Sequence, residues 1–232
     1  MVSTGMAEII TALSLDGSRG LAGVPAGMCA QLLDVTGLAV SVLAPGGGNE
    51  VVWRTDEPSA RLDDLQFTLG QGPGVDAAET GQIVLEPDLT AVRTRRWEMF
   101  APAAVELGVR AVFAVPLQIG AIRLGVLLAY REAPGPMYDR ALTDTLAFAD
   151  AATGALLGHD SRPGALDWLA DQPTGYRAQV HQATGMITVQ LAVAPAEALL
   201  RLRAHAFSQR RALTDVASDV VARRLRFDSH TE

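Results

Sequence analysis

The chain of 232 residues contains no lysine, one cysteine and no histidine before His159. Each shortage excludes something. A phosphate loop of the Walker kind closes on Lys-Ser or Lys-Thr after its last glycine, so Leu69-Gly70-Gln71-Gly72-Pro73-Gly74-Val75-Asp76 cannot be one, and it reads as a turn-rich loop before a short helix from Val75 to Thr80. The lone Cys29 allows no intramolecular disulfide and points to a reducing compartment, with its side chain serving as a small buried hydrophobe on a helix. The four histidines lie in the last third, which leaves a histidine-ligated haem in the earlier part without a ligand. Long apolar runs are also missing. The most apolar part, residues 111–130, is broken by Pro116, Gln118 and Arg123, and the first ten residues lack the basic start and apolar stretch of a signal peptide. The expectation is a soluble, cytoplasmic protein without membrane contact. With no nucleophile near a base and no set of metal ligands, it is not expected to be an enzyme.

All nineteen basic residues are arginine, against twenty-six carboxylates, for a net charge of −7. So acidic a chain cannot coat nucleic acid with its whole surface, and any such contact is confined to a patch. The balance is uneven along the chain. Residues 165–232 hold eight arginines and seven carboxylates, whereas residues 1–164 carry −8.

The patterning divides the chain into an N-terminal segment (1–19), a first domain (20–158), a linker (159–175) rich in helix-hostile residues but with Trp168 and Leu169 inside it, and a last domain (176–228). In the first domain a helix is expected from Leu21 to Thr36, with Val24, Met28, Leu32 and Val35 on one side and Gly37 ending it. A loose hairpin follows, with strands at 38–43 and 51–55. The acidic run from Asp56 to Asp64, with Glu50 before it, reads as a solvated loop or helix face and not as a metal site. After a strand at 82–85, a helix from Arg96 to Leu107 carries Trp97, Phe100, Ala104 and Leu107. Residues 109–117 and 121–130 form a hairpin, and a helix from Asp139 to Leu157 closes the domain. Leu142, Leu146, Ala149 and Thr153 on that helix offer a face for pairing with a second copy. The fold class is α+β, one antiparallel sheet with helices outside.

The stretches Leu69 to Gly74, Pro87-Asp88-Leu89, Arg96 to Phe100, Gly108 to Leu117 and Gly125 to Tyr130 resemble a GAF domain of the kind found ahead of ANTAR domains in actinobacteria. That resemblance implies a pocket between the sheet and the loop-and-helix layer, here drawing on Val52, Leu69, Trp97, Phe100, Phe113 and Val115, for a small ligand of unknown identity. Motifs for cyclic nucleotides or a covalent bilin are not evident.

The last domain reads as three short helices. Val180, Ala183, Ile187 and Leu191 mark the first, which ends near Val193. Ala194-Pro195 starts the second, with Ala198, Leu199, Leu202 and Ala206 as its stripe. Thr214 is the expected N-cap of the third, whose apolar face is Val216, Ala217, Val220, Val221 and Leu225. The string His181-Gln182-Ala183-Thr184-Gly185-Met186-Ile187, with Glu197-Ala198, Leu202-Arg203, Ala206, Asp215-Val216-Ala217 and Val220-Val221, resembles the ANTAR domain, the RNA-binding module of bacterial antiterminators. Many ANTAR domains have a lysine where this chain has Thr184.

The resemblance implies stem-loop RNA as partner, a homodimer, and antitermination gated by the GAF domain through a ligand or signalling partner. Arg203, Arg210, Arg211, Arg223 and Arg224 are the expected RNA contacts, since guanidinium pairs with phosphate and stacks on bases. Gln182 and Thr184 are carried over from the motif as hydrogen-bonding residues. Two other classes stay open: a DNA-binding regulator, because residues 211–221 also look like half of a helix-turn-helix, and a ligand-sensing adaptor that binds no nucleic acid.

Overall fold

The structure, a computed structural model, describes residues 1–15, 20–44, 49–92, 96–160 and 175–228. It divides into two compact units, Met1–Val42 with Val51–Asp171 and Leu43–Glu50 with Gln172–Glu232. Trp168, Leu169 and most of the expected linker lie outside the described residues.

The first unit is built on a five-stranded sheet of β1 (Gly37–Leu43), β2 (Asn49–Arg54), β3 (Val84–Glu86), β4 (Ala111–Ile119) and β5 (Ile122–Arg131), in the order β2-β1-β5-β4-β3. β5 runs antiparallel to both β1 and β4, and β3 antiparallel to β4. The β4–β5 hairpin turns on Gly120 and Ala121, with Gly120 at φ 57°, a conformation glycine adopts without penalty. The helices are α1 (Thr4–Leu15), α2 (Ala26–Leu32), α3 (Glu57–Leu69), α4 (Pro73–Thr80), α5 (Phe100–Glu106) and α6 (Asp139–Asp160).

Successive side chains of a strand point to opposite faces, and here both faces are buried, so β4 and β5 read as almost unbroken apolar runs. Ala111, Phe113, Val115 and Leu117 with Leu127 and Ala129 face one core, shared with Met6, Ile9, Leu13, Cys29, Leu33 and Phe148 of α1, α2 and α6 and the residue that ends α2. Val112, Ala114, Val126, Leu128 and Tyr130 face a second core, shared with Leu62, Ala77, Trp97 and Phe100 of the α3–α5 layer. β1 and β5 approach so closely at Gly125 that an added Cβ would stand 1.9 Å from the Ser41 carbonyl oxygen. Glycine is the residue that fits there.

Several expectations need correction. α1 lay unforeseen in the N-terminal segment; Ser3 opens it, its hydroxyl accepting the Met6 N–H at 3.3 Å while its own N–H donates to Asp144 on α6 at 2.8 Å. The helix expected from Leu21 to Thr36 is α only over Ala26–Leu32, because Pro25 disfavours helix at Val24 and Asp34 turns left-handed at φ 53°. Met28 is consequently exposed, and Cys29 and Leu33 take the inward positions. The acidic run is structural as well as solvated. Asp56 caps α3 through the Ser59 N–H at 2.9 Å and accepts the Tyr130 hydroxyl at 2.9 Å, while Asp63 is buried. The helix expected from Arg96 starts only at Phe100, since Trp97 holds φ 61° and its indole N–H donates to Asp76 at 3.1 Å. The pairing face proposed on α6 is not free either, because Ala149 and Thr153 are buried within the first core.

Burial pushes the Cys29 thiol up to about 12. A raised pKa means the neutral thiol is the native form, so its contribution to stability is whole below the ordinary value near 9 and is lost as pH climbs toward 12. Alkylation by iodoacetamide at pH 8 should therefore give no adduct in the native protein and one after unfolding, by mass spectrometry. Gly125→Ala should destabilise by about 1–3 kcal/mol in denaturant titration. Gly154→Ala, in mid-helix with open space around it, should instead stabilise by up to about 1 kcal/mol.

Candidate nucleic-acid interface

The second unit contains α7 (Gly175–Leu191), α8 (Pro195–Ser208) and α9 (Leu213–Val221). Ala194 is extended at φ −66° and ψ 152°, as the following proline requires, and Pro195 opens α8, whose axis turns 106° from that of α7. Thr214 is not the cap of the third helix. Ala212 holds that position, without a side-chain hydrogen bond, and Leu213 begins the helix. Val180, Ala183 and Ile187 of α7, Ala198, Leu199, Leu202 and Ala206 of α8, and Leu213, Val216, Ala217 and Val220 of α9 are all buried. Helices this short are unstable in isolation, so their mutual burial holds the trio together.

Both α8 and α9 end in the same way. After α8, Arg210 is left-handed at φ 51°; its N–H donates to the Phe207 carbonyl at 3.0 Å and the Arg211 N–H to Ala206 at 3.0 Å. After α9, Arg223 is left-handed at φ 58°; its N–H donates to Val220 at 3.0 Å and the Arg224 N–H to Asp219 at 2.8 Å. Each is a Schellman terminus with arginine at both positions that follow the cap. The second arginine of each pair then reaches the same carboxylate: Arg211 and Arg224 lie 2.6 and 2.7 Å from the two oxygens of Asp219. The two doublets, thirteen residues apart in the chain, are thereby joined through one residue of each, and Arg210, Arg211, Arg223 and Arg224 are all exposed.

The remaining expected RNA contacts divide. Gln182 is exposed on α7, and Arg203 is half-buried on α8. Thr184 is a correction. It is fully buried and its hydroxyl donates to the Val180 carbonyl at 2.8 Å, one turn back, so this position is used for helix packing and not for a ligand. Arg177 is likewise buried, donating to the Asn49 carbonyl, and His181 Nε2 lies 2.7 Å from Glu50 Oε1. His181, the first residue of the resembling string, and Arg177 ahead of it thus hold Asn49 and Glu50, which belong to the same compact unit, beside α7. Past α9 the chain folds back: the Phe227 N–H donates to Gln190 at 2.9 Å and its ring meets His205 edge-on at 5.3 Å.

The six pocket residues do not converge. Val52, Phe113 and Val115 face the α1–α2–α6 side of the sheet, while Trp97, Phe100 and Leu69 belong to the α3–α5 side. The two-residue period that grouped Phe113 with Val115 also turns both away from Trp97. Among the described residues no group of three or more His, Cys, Asp or Glu could hold a metal ion, and no single helix is long and apolar enough to cross a membrane.

Residues 175–221 match the family model of the ANTAR domain. The sheet-containing part is similar to the GAF domain from Acinetobacter phosphoenolpyruvate-protein phosphotransferase, at 11% identity and TM-score 0.52 over 68% of this chain and 93% of that one. It is similar also to the phycocyanobilin-bound GAF domain from a cyanobacterial phytochrome, at 12% identity and TM-score 0.50 over 69% and 99%. No curated protein matches. The architecture is a GAF-like α+β fold followed by an ANTAR region of helices.

Two features of the interface escaped the sequence reading. One is the contact of Arg211 and Arg224 with Asp219; the other is the shared terminal geometry, for which two Arg-Arg doublets at helix ends with no glycine to close either helix are the signal. Hydrogen bonds from Arg211 first and Arg224 second hold the Asp219 carboxyl below its ordinary range. Its depressed pKa means that both ion pairs persist above the ordinary carboxylate range and are released as pH falls through the lowered value. An NMR titration of the Asp219 carboxyl carbon should show that lowered midpoint, and Arg211→Ala and Arg224→Ala should each move it back toward about 3.9.

Proposed function

We propose that the protein is an RNA-binding transcription antitermination regulator whose ANTAR helices grip stem-loops in a nascent transcript and whose GAF-like part senses a small ligand or a partner. The observation that carries this reading is the meeting of Arg211 and Arg224 on Asp219, which brings the ends of α8 and α9 together with exposed Arg210 and Arg223 next to them in the chain. Four guanidiniums and one carboxylate leave a concentrated positive patch on an acidic chain, and such a patch is what phosphate attracts.

The ordinary explanation for arginine at a helix C-terminus is the helix dipole, which favours cations there by a few tenths of a kcal/mol. The left-handed conformation of Arg210 and Arg223 runs against that explanation. An L residue costs about 1–2 kcal/mol there, and glycine is the relaxed choice. Stability is given up at both positions to keep an exposed cation, which is the pattern of a functional site.

The DNA-binding alternative is less well supported. A recognition helix must enter a groove lined by phosphates, and Leu213–Val221 carries Asp215 and Asp219 with no basic residue. Folded RNA, read at its loops, needs no helix in a groove. Homodimers that hold paired stem-loops, as the ANTAR resemblance implies, belong to the same reading. So does gating of RNA binding by the GAF-like part.

The test is an equilibrium titration of the full chain with stem-loop RNA selected in vitro from a pool with randomised loops. Arg210→Gly/Arg223→Gly should weaken binding by at least about tenfold and lower the salt-dependence slope by about two, while the melting temperature holds or rises. Unchanged affinity would remove these arginines from the interface, and a preference for duplex DNA in competition would overturn the RNA reading.

A further inference from the structure

We propose that Phe207 is a stacking platform for one unpaired base of the bound RNA. This inference rests on the RNA-binding reading and adds to it a contact that guanidiniums alone do not supply.

Phe207 lies in the last turn of α8 and is 70% exposed. A phenylalanine left in water forgoes about 1.5–3 kcal/mol of burial. The other aromatic side chain near this turn has found cover, since Phe227 meets the His205 ring edge-on. Phe207 makes no ring or cation contact among the described residues.

Helical geometry sets its surroundings. Ala198, Leu199, Leu202 and Ala206 form the buried stripe of α8, and Phe207 stands on the solvent side. One turn back on that side are Arg203 and Ala204, and two turns back is the 62%-exposed Leu200. One turn on, the Phe207 carbonyl accepts the Arg210 N–H at 3.0 Å, so the ring belongs to the same terminus that presents Arg210 and Arg211. An exposed ring is framed by cations before and after it along the chain.

The chemistry selects the occupant. A second copy pairing symmetrically through this face would set Arg203, Arg210 and Arg211 of one chain against the same residues of the other, and like charges brought together oppose association. An RNA loop has the complementary charge in its phosphates and exposes unstacked bases, each with a π-face that an aromatic ring can cover. Because stacking is tolerant of base identity, Phe207 would contribute affinity for an open loop over a paired stem and leave the reading of sequence to hydrogen bonds.

The experiment uses the full chain and the selected stem-loop RNA, with 2-aminopurine placed at one loop position at a time. Wild type should quench the fluorescence strongly at one position. Phe207→Leu should abolish that quench and weaken binding by at least about fivefold without changing the salt slope, because no counterion-releasing charge is removed. Phe207→Trp should keep both quench and affinity. Wild-type binding that Phe207→Leu leaves intact, or that Phe207→Trp fails to preserve, overturns this proposal while the arginine interface stands. A change of oligomeric state in Phe207→Leu by analytical ultracentrifugation, with RNA binding unaltered, assigns the face to a second copy and overturns it also. Absence of RNA binding by the wild type removes both readings together.

Discussion

Everything proposed for the last part of this protein depends on the mutual burial of three helices too short to persist singly. Val180, Ala183 and Ile187 meet the stripes of α8 and α9, and α8 and α9 also pack on each other, which brings their ends together. The arginine pairs are carried to one place by apolar residues that touch no ligand. The single anion between them, Asp219, then fixes the spacing of Arg211 and Arg224 by hydrogen bonds to both of its oxygens. Preorganised in this way, the cations lose less side-chain freedom on meeting phosphate than solvated arginines would.

The helix termini show how stability and function compete in a short stretch of chain. A Schellman ending asks for glycine, and this chain, with 22 glycines elsewhere, twice uses arginine instead. The backbone still closes its hydrogen bonds at both ends, so the penalty is confined to the left-handed residues and the helices survive it. The opposite bargain is seen in the sheet, where Gly125 carries no side chain because the Ser41 carbonyl occupies its space. Chemistry at the surface and clearance in the core set different rules for the same residue type.

A sheet covered on both sides leaves the loop-and-helix layer packed against it. The layer of α3, α4 and α5 contains buried polar groups as well as apolar ones: Ser59, Asp63 and Gln66 lie along one stripe of α3, and Gln66 accepts the Gly74 N–H at the start of α4. Asp76 gathers Arg96 and Trp97, and the Arg96 guanidinium lies 4.4 Å from the centre of the Trp97 ring. The glycine-rich segment is thus woven into its neighbours by side-chain hydrogen bonds, which is a structural use for glycines that do not form a phosphate loop.

The sequence by itself determined the apolar strands of the β4–β5 hairpin, the break at Ala194-Pro195, the three apolar stripes of the last helices and the two arginine doublets. All of these follow from local backbone preferences and from periods of 2 and 3.6 that each element imposes on its own residues. The tertiary structure alone decided which layer covers which face. It parted Phe113 from Trp97, buried Thr184 and Arg177, enclosed Ala149 and Thr153, and brought one arginine of each distant doublet onto Asp219. The reason is that a period says which residues share a side, whereas what that side meets depends on contacts between segments far apart in the chain, which no local preference encodes.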